Sequence, residues 1–186
     1  MTVMLPRLRK PVFTLHVASS VGWFGAAAVY LVLCLKVMTS RDTETVRILY
    51  PVLREIVWYV ILPFDLLSLS TGLASALLTS TWGLFRHYWV VVKFVLVLGS
   101  TLVLLVYTQE IAYYARKAER LRPSRSELSV LRGPDSLEHV VLAMLVLVAT
   151  MVLAVYKPRG RTRYGRRVEA VKRRNPETLS DDVEMH

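Results

Sequence analysis

The chain is short of the residues that build most soluble and secreted folds. It has a single cysteine, Cys34, so no intrachain disulfide can form. For the same reason paired-cysteine zinc motifs and Cys-x-x-Cys-His haem attachment are excluded. No Walker loop, no dinucleotide-binding glycine pattern and no His-Glu-x-x-His stands anywhere in the sequence. Nothing marks a serine triad, which needs a base and an orienting carboxylate beside its nucleophile. Covalent haem and nucleotide-driven transport are therefore set aside. No repeat at a solenoid period is visible. Charge is also scarce: 20% of the 186 residues are charged and 54% apolar. An average soluble domain carries about 25% charged and 45–50% apolar residues. Acidic groups are the scarcer sign, 14 against 24 Lys+Arg. The resulting charge of +10 does not read as a nucleic-acid footprint, because the basic residues flank apolar runs and do not form one folded face.

What is present is long apolar runs. A hydrocarbon core about 30 Å thick takes roughly 20 apolar helical residues to cross. Four segments have that length, about 12–37, 56–78, 88–107 and 137–156. They are continuous and do not alternate with period two, which favours helices over barrel strands. The first run is too long for a signal-peptide core, and we read it as a retained helix. The expected fold is all-α, a polytopic membrane four-helix bundle over residues 1–156. A basic and then acidic tail over 157–186 is expected to be disordered, its basic half suited to anionic lipid headgroups. The short stretch from Thr79 to His87 makes spans two and three antiparallel neighbours. The linker from Met38 to Glu55 pairs Arg41, Arg47 and Arg54 with Asp42, Glu44 and Glu55 and is expected to be partly helical. The linker from Thr108 extends the third helix to about Ala118.

Four crossings put both termini on one side. With the termini inside, that side holds thirteen basic residues and the other ten. The densest cluster follows the last span directly, so a cytoplasmic C-terminus and a multi-pass protein of the cell membrane are expected. The excess of Arg over Lys, 18 to 6, points to a GC-rich bacterial source.

Ionisable residues inside a span are costly and so carry the most information. In the third span Arg86, Trp89, Lys93, Ser100 and Tyr107 fall on one helix face. Lys93 either snorkels to the near interface or serves a buried role. In the second span Asp65, Ser68, Gly72, Ser75 and Thr79 share a face; Asp65 must find a partner or hold a proton. Lys93 is one candidate partner, though about two turns away in depth. Pro63, just before Asp65, frees a backbone carbonyl and is expected to kink the helix. In the first span Ala18, Gly22 and Ala26 form a small-residue seam for close helix approach. His16, one turn inside that span, shares a face with Trp23. Two readings of His16 stay open: a wetted interfacial residue, or a neutral imidazole offered to haem iron or another metal. His87 lies at the same membrane side and with His16 can bracket a metal or a porphyrin. His139 begins the fourth span at the opposite side and cannot join that site.

The pattern His16-x6-Trp23-x-Gly25, with Gly83 to Lys93 and Trp89 before the lysine, resembles the HemJ-type protoporphyrinogen oxidases and the related CopD-like copper-resistance membrane domains. The likeness covers spans one to three. Within that superfamily the chain looks most similar to uncharacterised bacterial members, because its lysine helix ends Leu104-Leu105-Val106-Tyr107-Thr108-Gln109 without histidine. The resemblance implies a four-helix membrane protein that binds haem b. It makes His16 the axial ligand and Lys93 its partner, with Trp23 and Gly25 shaping the pocket. His87 stands as an alternative on the other face of the iron, and Arg86 can hold a propionate. The expected function is non-covalent haem b binding with a redox or porphyrin-linked role. The alternatives are a non-catalytic assembly protein acting as a homo-oligomer or with a membrane partner, and a copper-handling membrane protein. Copper is disfavoured by the lack of a soft-ligand cluster.

Overall fold

The computed structural model describes residues 6–78, 87–120, 135–157, 160 and 162–167. All described elements are helical apart from short connecting turns, and four helices are long and apolar enough to cross a membrane. Helix α1 spans Pro6–Thr39, α2 Thr43–Ile56, α3 Leu62–Leu78, α4 Tyr88–Glu119, and α5 Asp135–Tyr156. Of the tail expected to be disordered over 157–186, residues 157, 160 and 162–167 are described and 163–167 form a short helical turn, while residues 168–186 and Arg86 lie outside the described residues.

Helices α2 and α3 are joined without a break by a π-helical turn, Val57–Ile61. Proline explains its position. Pro63 has no N–H to return to the preceding turn, so the regular ladder cannot continue through it. The Leu62 N–H reaches back to the Val57 carbonyl instead, five residues away, which widens the helix at that point. The expected kink is thus a π turn just before Pro63. Much of the expected 38–55 linker is also helix: Asp42 caps α2 by accepting from the Glu44 and Thr45 amides, at 3.2 and 3.0 Å. The cap satisfies two of the N–H groups that a helix start leaves open. Of the expected ion pairs, Arg47 meets Glu44 at 3.6 Å and Arg54 meets Glu55 at 2.8 Å.

At 1.5 Å per residue, α1 and α4 are about 50 Å long, well beyond a hydrocarbon core of about 30 Å. Helix α4 continues to Glu119, as expected, and its last turns pack against α2. Val46, Tyr50 and Leu53 of α2 bury against Ile111, Ala115 and Ala118, and the Tyr50 and Tyr114 rings lie 6.0 Å apart. Glu44, Arg47, Arg54 and Glu55 on α2, with Arg116 and Lys117 on α4, belong to this overshoot beyond the apolar band.

Inside the band α1 packs chiefly on α3, and α5 closes against α1 and α4. The buried stripe of α1 runs Ser19, Trp23, Ala27, Tyr30, Cys34 and Val37, in steps of three and four. This corrects the expected small-residue seam at Ala18 only, since Ala26 packs against the core. Ala18 is exposed; of the three seam residues Gly22 makes the close approach, a Cβ there coming within 2.9 Å of the Phe64 ring. The start of α4 is tied to the chain after α5, where the Tyr88 N–H donates to the Gly160 carbonyl at 3.3 Å.

Candidate functional site

His16 sits where α1 and α3 touch, two to three turns into α1. Its Nδ1 lies 3.0 Å from the Ser68 carbonyl oxygen and 3.3 Å from the Thr71 hydroxyl. A carbonyl can only accept, so Nδ1 carries the proton and donates. In the neutral ring that leaves Nε2 as a bare lone pair, and among the described residues nothing bonds to it. Gly72 makes room for the ring: a Cβ there would stand 2.9 Å from His16 Cε1. The seam around the histidine is built from hydroxyls. Ser19 and Ser20 donate to the His16 carbonyl at 3.1 and 2.7 Å. Ser20 also pairs with the Ser68 hydroxyl at 2.8 Å. Ser20, Ser68 and Thr71 were not singled out from the sequence as partners of His16, because they lie on the facing helix or one turn along the same one.

Lys93, half-buried on α4, has no hydrogen bond or ion pair among the described residues. His87 caps α4 at the same membrane side, its ring 6.5 Å from that of Trp89. The other residues of the expected pocket are elsewhere. Trp23 is buried and faces a cavity deeper in the bundle. Gly25 is exposed, with nothing within 4 Å of where its Cβ would be. Arg86 is outside the described residues. Among the described residues, no group of three or more His, Cys, Asp or Glu side chains can hold a metal ion.

Asp65 is wholly buried, and its partner is Thr101 of α4: the Thr101 hydroxyl meets Oδ1 at 2.9 Å. Oδ2 has no partner among the described residues. Lys93 is not the partner, being eight residues from Thr101, or about 12 Å along α4.

A second polar group went unread in the sequence as a unit. The Tyr30 and Tyr107 hydroxyls share a hydrogen bond of 2.9 Å. The His139 ring stacks on Tyr107 at a centroid distance of 5.0 Å. This group lies at the membrane side opposite His16, where His139 was expected. The signal available was two phenol tips inside apolar runs, since buried tyrosine hydroxyls usually find a partner.

No family, no curated protein and no solved structure matches this chain.

Proposed function

We propose that this multi-pass membrane protein binds haem b non-covalently through His16 and serves a redox or porphyrin-linked role. The observation that carries the reading is the Nδ1 hydrogen bond to the Ser68 carbonyl, at 3.0 Å. A ligating histidine typically donates its other ring N–H to a carbonyl or carboxylate, which fixes the tautomer and aims the second nitrogen. The donor set therefore fits the group. His16 would hold the iron through Nε2. Ser68 and Thr71 fix the ring plane, and Gly72 leaves it space. Lys93, which has no hydrogen bond or ion pair among the described residues, would pair a propionate or serve as a second iron ligand. Arg86 is the second candidate for a propionate. When bound, haem would supply one-electron chemistry, while the apolar helices around it exclude water and so set its potential. The resemblance of the His16 and Lys93 helices to HemJ-type proteins supports the same assignment. We place the protein in a bacterial cell membrane, with both termini in the cytoplasm and the basic tail on anionic headgroups.

The test is an absorption spectrum of detergent-purified protein, oxidised and then dithionite-reduced, from cells supplied with haem precursor. A Soret band with sharp reduced α and β bands is expected. It should be lost in His16→Ala and return with altered reduced bands in His16→Met, which keeps an axial donor. A featureless wild-type spectrum in folded protein would reject the reading and favour the assembly role. A Soret band unchanged in both variants would reject His16 as ligand.

A further inference from the structure

Asp65 is an ionisable side chain near the middle of an apolar run, and the haem reading does not use it. It is wholly buried. Thr101 of α4 bonds Oδ1 at 2.9 Å, and Oδ2 is buried without a hydrogen-bond partner among the described residues. A polar atom left so is costly, and a carboxyl at membrane depth marks an ion or proton pathway more often than a packing device.

Hydroxyls lead toward Asp65 from one side only. Ser20 donates to the His16 carbonyl at 2.7 Å, and its oxygen lies 2.8 Å from that of Ser68. The Ser20 hydrogen is committed to the carbonyl, so Ser68 donates to Ser20 and keeps its own lone pairs for another donor. Ser68 is buried three residues from Asp65 on the same face of α3, a spacing that sets Cβ atoms about 5–6 Å apart. A rotation of the Asp65 side chain closes that step. Toward the far side the buried neighbours are Trp23, Ala27, Val57 and Ile61, none of which has a side-chain proton acceptor. The next such group, the Tyr30–Tyr107 pair, stands six residues past Thr101, about 9 Å along α4. Within the apolar runs of the elements packed on α3, the titratable groups are His16 and Lys93 on the near side and Tyr30, Cys34, Tyr59 and Tyr107 on the far side. None of them bonds Asp65.

We propose that Asp65 is a proton-binding site that exchanges with one face of the membrane, the His16 face, through the hydroxyls of Ser68 and Ser20. The seam is unchanged by a transfer. Each hydroxyl takes a proton on a lone pair and releases its own, while Asp65 passes between carboxylate and acid. The site holds a proton inside the bilayer without letting it cross, because the far side offers no acceptor within reach. It stands whether or not haem is bound at His16, since the path runs through hydroxyls and not through the imidazole.

The test uses the full chain in phosphatidylcholine nanodiscs, moved from ordinary to deuterated buffer and followed by infrared spectroscopy. The carboxylic C=O band that Asp65→Asn removes reports the site. In the wild type this band should shift to lower wavenumber well before the backbone amides of the apolar helices exchange. Ser20→Ala and Ser68→Ala should each slow the shift roughly tenfold or more, because one hydrogen-bonded step is lost from the path. Ser20→Thr keeps the hydroxyl and should restore the rate. A loosened fold would speed exchange, so a slower shift does not come from poor packing. Tyr107→Phe, on the far side, should leave the rate unchanged. Shifts as fast as the wild type's in both alanine variants, with unchanged thermal melts, would overturn the proposal. So would a wild-type shift no faster than amide exchange, or slowing by Tyr107→Phe as strong as that by the serine variants.

Discussion

Asp65 should be a neutral acid in the folded protein, and this can be read directly. Its side chain is fully buried and level with the middle of α4. An ionised carboxylate in such a place costs several kcal/mol after relaxation. A hydrogen bond to a charged group returns about 1.5–3 kcal/mol, and Thr101 supplies only one donor. The Thr101 hydroxyl has a single hydrogen but two oxygens in range, Asp65 Oδ1 at 2.9 Å and the Val97 carbonyl at 3.0 Å. A protonated Asp65 resolves the conflict: the acid O–H donates to Thr101, and Thr101 donates to Val97. The neutral form therefore wins. In lipid at neutral pH the infrared spectrum should contain a carboxylic C=O stretch that Asp65→Asn removes. Asparagine can donate to Thr101 in the same way, so its cost should stay within about 1 kcal/mol. Thr101→Val leaves the acid without that partner and should cost about 1–2 kcal/mol by reversible unfolding. No difference band, together with a loss of several kcal/mol in Asp65→Asn, would mean a charged Asp65 with a counter-ion and would refute the reasoning.

Gly72→Ala should push the His16 ring off the Ser68 carbonyl, because the new methyl would stand 2.9 Å from Cε1. A cost of about 1–3 kcal/mol is expected, with a shifted Soret band where the wild type shows one. Tyr30→Phe and Tyr107→Phe should each cost about 0.5–1.5 kcal/mol. The double variant should cost less than their sum, and strict additivity in the cycle would disprove the shared hydrogen bond. At Asp42 the Thr45 hydroxyl, then the Thr45 and Glu44 amides, hold the carboxyl below its ordinary value of 3.8. The depressed folded-state value means that the charged cap stabilises above the unfolded value and is lost as pH falls through the folded one. Asp42→Asn, which still caps, should therefore flatten the acid limb of stability below about pH 4.

The helices were legible because twenty-residue apolar runs without charge have few other fates in water or lipid. The continuity of α2 with α3 was less so. Pro51 and four charged residues make that stretch read as a linker, whereas the helix survives because its apolar face, Val46, Tyr50 and Leu53, is covered by the end of α4. His16 and Asp65 were visible as polar groups in apolar runs, but their partners were not. Ser68 is 52 residues from His16 and Thr101 is 36 from Asp65. The register between two helices is set by packing across the whole interface, and a single sequence does not carry it. The same gap left the seam on α1 only partly read: Gly22 meets Phe64 and Ala26 packs on the core, but Ala18 is exposed. Ala18, Gly22 and Ala26 have the right sizes, but helix rotation was settled by burying Trp23, Tyr30 and Cys34 one position over.

That rotation takes Trp23 out of the His16 site. The resemblance groups it with His16 around one porphyrin. In the fold it is seven residues from His16, about 10 Å along α1, and it lines the cavity while the His16 ring faces α3. Trp23→Phe should therefore leave the haem spectrum as it is, since no contact of the His16 ring is altered. A Soret shift in Trp23→Phe as large as that in Gly72→Ala would contradict this separation. It would place porphyrin against Trp23, in the cavity.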